Sequence, residues 1–132
     1  MRGIIRVILG AGLLLLGTAL AQNNQPSAEY KYDLSKQVTT RGTVQEVRNY
    51  QCPVSGTVGT HITLKQDAGT IEVHLAPATF LNKYEIEIKK GDQVEVLGAK
   101  ISFQGKPALI AKIVSEDKIT YAFRDTSGKP LW

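Results

Sequence analysis

From Val38 onward the chain alternates apolar and polar residues with a period of two. The segments TTRGTVQEV, THITLKQ, GTIEVHL, DQVEVLGAKISF and KPALIAKIV each alternate or run β-branched, as strands do when one face is buried. Turn-forming triplets separate several of them: Asp67-Ala68-Gly69, Lys90-Gly91-Asp92 and Gln104-Gly105-Lys106. Five main strands are predicted, and a sixth short one fits residues 119–123. One segment, APATFLNKYEI, breaks the rhythm between the third and fourth strands. Pro77 suits the first turn of a helix, where its missing N–H costs nothing. Phe80, Leu81 and Tyr84 then recur at helical spacing, which favours packing against a barrel over a ligand box. The expected fold is all-β: a five-stranded OB-fold Greek-key barrel with one short helix between the third and fourth strands. An SH3-like barrel or a small sandwich is the alternative, and neither would need a helix there.

The first 21 residues follow a different logic. Arg2 and Arg6 precede an apolar stretch over 7–16, and Ala19 and Ala21 stand in A-x-A positions, the layout of a secretory signal peptide. The apolar run over 7–21 is 15 residues long, short of the roughly 20 that span a bilayer. Cleavage after Ala21 is therefore expected, giving an exported, periplasmic protein with no stable membrane insertion. Residues 22–37 are polar and without sustained periodicity, and read as a flexible leader. Residues 38–132 are left for the barrel.

Composition changes the picture only once the chain is divided this way. Its 132 residues carry 16 basic and 12 acidic side chains, a net +4. Two of the basic residues are Arg2 and Arg6, so the mature domain stands at +2. That is little excess for gripping a phosphate backbone. A single cysteine, Cys52, excludes an intramolecular disulfide framework, multi-cysteine zinc modules and a lipid anchor near the cleavage point. No G-x-S-x-G, G-x-x-x-x-G-K-[ST] or H-E-x-x-H occurs. Ser55-Gly56-Thr57 lacks the lysine and helix of a phosphate cradle. A non-enzymatic protein is expected.

The stretch from Thr40 to Trp132 resembles a bacterial exported OB-fold family, related to the OB-like domains of magnetosome-associated redox proteins. The matching segments are RGTVQEV (41–47), HITLKQDAGTIEVHLAPATFL (61–81), KKGDQVEVLGAK (89–100), GKPALIAKIV (105–114) and RDTSGKPLW at the C-terminus. A more distant likeness is to small periplasmic stress-associated OB-fold proteins. The resemblance implies fold and an exported location, and carries no established chemistry onto particular residues.

Candidate chemistry gathers on the second hairpin. A turn at Asp67-Ala68 sets His61 opposite His74 and Thr63 opposite Glu72. Alternation then turns Ile62, Leu64, Ile71, Val73 and Leu75 inward, and His61, Thr63, Lys65, Glu72 and His74 outward. Facing residues on one sheet surface hold their Cβ atoms about 4.5–5.5 Å apart, close enough for two imidazoles to share an ion. Cys52, in the loop YQCPVSGTVG, is expected at the same end of the barrel. His61, His74 and Cys52 together suit zinc or copper, or a haem iron, and Glu72 is placed to orient one imidazole. The simpler reading is two surface histidines, with Cys52 a small buried hydrophobe or an intermolecular disulfide partner, and no cofactor.

Nucleic acid would use the outer face of strands two and three. That face offers no Phe, Tyr or Trp of its own, a single Lys65, and an opposing Glu72. Tyr50, in the adjoining loop, is the nearest aromatic. Nucleic-acid or oligosaccharide binding is therefore poorly supported. Lys89-Lys90 reads as a solvated turn. The Ser-Gly-Lys-Pro run near the end should fold Leu131 and Trp132 back onto the barrel, with a partner-docking anchor as the alternative. The reading these residues support is a binding or accessory module that engages another envelope protein, through the hairpin face or the Cys52 loop. A metal- or redox-linked accessory domain is the second reading.

Overall fold

The computed structural model describes residues 31–51 and 57–132. The segment expected to be a signal peptide, most of the expected leader and Cys52 lie outside the described residues. A short 3-10 turn, Leu34–Lys36, leads into strand β1 (Gln37–Gln51). Strands β2 (Val58–Gln66) and β3 (Gly69–Pro77) follow, then helix α1 (Ala78–Lys83). Strands β4 (Gln93–Phe103), β5 (Lys106–Glu116) and β6 (Ile119–Ala122) complete the chain. Neighbours run in the order β3-β2-β1-β4-β5-β6, and a parallel pairing of β3 with β5 closes the sheet on itself. This is the five-stranded OB barrel, with β6 added to the free edge of β5.

Strand β1 makes closure possible by serving two partners. Its first half, Gln37 to Thr43, pairs with β4, and its second half, from Thr43, pairs with β2. The changeover falls beside Gly42, where a Cβ would overlap the Lys65 carbonyl and the Leu64 side chain. Only glycine lets the strands approach so closely at this corner. A β-bulge between Val44 and Glu46 adds the bend.

The barrel interior is aliphatic. Val44, Ile62, Leu64, Val73, Leu75, Val94, Val96, Leu109 and Val114 are all buried in one cluster with Phe80, Leu81 and Phe123. The predicted alternation supplies these residues strand by strand. In β5 the run Ala108–Lys112 is buried on both faces, because the strand lies between β3 and β4 and the tail crosses it. The Lys112 ammonium donates to Gln37 Oε1 at 3.4 Å and to the Thr126 carbonyl at 3.3 Å, tying the start of β1 to the tail.

Three local expectations are revised. The helix is short, as expected, with six residues, but Pro77 ends β3 as the residue that precedes the helix and is not part of its first turn. Glu85 takes a left-handed conformation, φ 52°, and stops it. Phe80 and Leu81 are buried as predicted, but Tyr84 stands just past the last turn and is 55% exposed. Finally, Leu131 and Trp132 remain 47% and 46% exposed. The predicted turn is present, with Gly128 at φ 88° and Asp125 Oδ1 accepting from the Ser127 and Lys129 amides. It brings the Trp132 ring only edge-on to Phe80, centroids 5.6 Å apart.

Candidate functional site

The β2–β3 register is the predicted one: His61 faces His74, Thr63 faces Glu72 and Lys65 faces Thr70. Both histidines point away from the aliphatic core, yet His61 is only 8% exposed. Three other strands contribute the cover. Strand β1 sets Arg48 opposite His61 and Tyr50 opposite Gly59. With no side chain at 59, the Tyr50 ring lies over His61, centroids 5.3 Å apart and planes within 15°. His61 in turn stacks on His74 at 3.8 Å and 10°. Phe103, the last residue of β4, stands edge-on to the stack, 4.5 Å from His74 and 5.7 Å from His61. The strand β5 residues Ala108 and Ile110, paired with Glu72 and His74, are buried beside it.

Polar contacts then fix the rings. The Glu72 carboxylate accepts from His61 Nδ1, at 2.8 Å from Oε1, so that nitrogen carries the ring proton. Arg48 reaches the same oxygen at 3.5 Å, and Gln104 donates to the Tyr50 hydroxyl at 2.9 Å. Burial holds His61 below the usual imidazole range, partly opposed by its bond to Glu72. Burial and the neighbouring His61 push His74 down to about 3. Burial thus favours the neutral form of both rings. One donor atom from each of His61, Glu72 and His74 lies within 4.8 Å of the others.

Four of the predicted face residues thus come together: Tyr50, His61, Glu72 and His74. Thr63 is half-buried beside Glu72, and Lys65 is exposed nearer the hairpin tip. Tyr50 belongs to β1, not to a loop, because that strand runs four residues past Val47. The face is also richer in aromatics than its own two strands suggest, since Phe103 leans in from the β4–β5 hairpin. Arg48 was not readable as a neighbour, because counting by two from Val44 turns it inward and only the bulge between Val44 and Glu46 brings it opposite His61. Nor was Phe103, because only barrel closure brings it there.

A family model for the MamS/MamX magnetosome protein family matches residues 36–121. No curated protein matches the chain. Among solved structures the fold is similar to a chain of the S. pombe Stn1-ten1 complex, at 19% identity and TM-score 0.50, over 63% of this chain and 59% of that one. It is also similar to the single-stranded DNA binding protein from Thermus aquaticus, at 20% identity and TM-score 0.50. That match covers 70% of this chain and 45% of the other. The chain thus spans less than two thirds of either of those chains. At such identity the likeness establishes the fold and leaves function to the residues.

Proposed function

The chain belongs to the MamS/MamX magnetosome protein family, and on that premise we propose that it is an exported, non-enzymatic OB-fold accessory module that docks onto a protein of the cell envelope. The observation that carries this reading is the aromatic patch at the helix end of the barrel. Phe80 touches Tyr84 at 4.9 Å and Trp132 at 5.6 Å between ring centroids. Tyr84, Leu131 and Trp132 are each about half exposed. Trp and Tyr in such a setting are the residues that dominate protein–protein interfaces.

The patch is held ready. Arg124 packs its guanidinium 5.1 Å from the Trp132 ring and donates to the Gly128 carbonyl at 3.0 Å. The Leu131 amide donates to the Phe123 carbonyl at 3.1 Å. A tail fixed before binding loses less conformational freedom on docking. Lys83, over the Tyr84 ring, and Arg124 give the patch a cationic rim, which suits an apolar groove flanked by carboxylates. The hairpin face, by contrast, turns its aromatic rings onto its own histidines, which argues against base stacking there.

A photocrosslinking residue placed at position 84 should capture one discrete envelope protein from the native host, and Leu131→Ser/Trp132→Ala should abolish the adduct. Crosslinking from position 65 on the hairpin instead, unaffected by the tail substitutions, would move the docking surface to the other face. Tight, steeply salt-dependent binding of single-stranded oligonucleotides would replace the reading with nucleic-acid binding.

A further inference from the structure

We propose that His61, Glu72 and His74 form a binding site for one divalent transition ion of the zinc, copper or nickel class, with at least one coordination position left for an outside ligand. Adjacent antiparallel strands hold all three side chains on one face, so their spacing is set by the sheet and not by a mobile loop. The donor set is two imidazoles and one carboxylate. That combination suits borderline transition ions and does not suit calcium or magnesium, which take six or more oxygens or keep most of their waters.

The distances are close to what an ion needs. Donors about 2.0–2.2 Å from a tetrahedral ion lie some 3–3.6 Å apart. Here one pair, His61 Nδ1 and Glu72 Oε1, is already at 2.8 Å, and all three donor atoms fall within 4.8 Å of one another. Two features must yield. Rings stacked within 10° at 3.8 Å cannot both aim in-plane lone pairs at one ion, so at least one imidazole turns out of the stack on loading. An ion on Nδ1 also takes the place of the proton shared with Glu72, and the imidazole then carries its proton on Nε2. Arg48 competes for the carboxylate, but at 3.5 Å and from a half-exposed side chain it is easily displaced.

The three donors need no ligand from Cys52, which lies outside the described residues. The full chain, kept reduced, is titrated calorimetrically with zinc chloride. One saturable equivalent is expected, weakened about 10- to 100-fold by Glu72→Gln and at least as much by His74→Ala. Cys52→Ser should leave the affinity unchanged, and Arg48→Gln should tighten it by removing the competing cation. Because His74→Ala opens a hole in the ring stack and so perturbs the fold as well as the donor set, the ring resonances of both histidines are followed in the wild-type chain. They should shift with zinc and stay still with calcium. Absence of saturable zinc binding, affinity indifferent to Glu72→Gln, or loss of binding in Cys52→Ser would each overturn the site.

Discussion

The two faces of the β2–β3 hairpin are built from the same eighteen positions of strand and reach burial by opposite means. The inner face, Ile62, Leu64, Val73 and Leu75, is aliphatic and belongs to one continuous core. The outer face carries His61, Glu72 and His74, groups that water would solvate well, yet His61 is as dry as many core residues. Inside, burial follows from hydrophobic side chains of similar shape meeting one another, and any one of them is replaceable at a cost in volume. Outside, it depends on a particular arrangement of flat rings and one carboxylate, in which each group has a named partner. Strands with two such faces hold polar chemistry rigidly because the other side supplies the stability.

Breaking the inner face should have the larger effect. Leu64 is fully buried, and Leu64→Ala removes its contacts and leaves a cavity in the aliphatic core. A loss of about 3 kcal/mol is expected, within the usual 2–5 kcal/mol for such truncations. Equilibrium denaturation should show a lower midpoint with an unchanged slope. A loss below about 1 kcal/mol would mean that the inner face is no more tightly packed than the outer.

Acid should single out the outer face. In the unfolded chain His74 titrates near its ordinary 6.5, while in the barrel burial pushes it down to about 3. The unfolded state therefore binds more protons between those values, and stability rises with pH through that window. It is fully present above about 6.5 and falls by up to about 1.4 kcal/mol per unit as the pH drops below it. His61, lowered in the same direction, adds to the slope. At pH 4.5 the loss should approach 2.5 kcal/mol, and His74→Phe, which keeps a flat ring without the titration, should flatten the curve. An unchanged acid limb in that variant would place the sensitivity elsewhere.

This contrast also marks how far the sequence could be read. Period-two alternation and the Asp67-Ala68-Gly69 turn dictate which residues of the hairpin face each other, because register and side-chain direction are local properties of a strand pair. The pairing of His61 with His74 followed from them. Local pattern says which side a residue is on and not what lies over it. The cover over His61 comes from Tyr50 and Phe103, placed by the length of β1 and by closure of β3 onto β5. Those are consequences of the whole barrel. The same limit applies to Trp132: the tail turn was legible from Ser127-Gly128-Lys129-Pro130, but the exposed position of the ring depends on the short helix that carries Phe80.

The finest test of the comparison is Phe103→Ala, which removes cover without touching a hydrogen bond. Phe103 is half-buried and contacts Tyr50, His61 and His74 by its edge, so truncation should cost about 1–2 kcal/mol, less than a full core phenylalanine. Its more telling consequence is electrostatic. If the aromatic lid is what dries the outer face, water reaching His74 should raise its titration from about 3 toward the ordinary imidazole value. His61 should follow by less, since Glu72 still accepts from its Nδ1. Proton NMR of the ring C–H resonances across pH 3–8 reads both directly. A His74 titration that stays low would show that Ala108, Ile110 and the stacked His61 suffice to exclude water. The outer face would then resemble the inner one more closely than its chemistry suggests, with burial supplied by the sheet itself and not by the hairpin that leans over it.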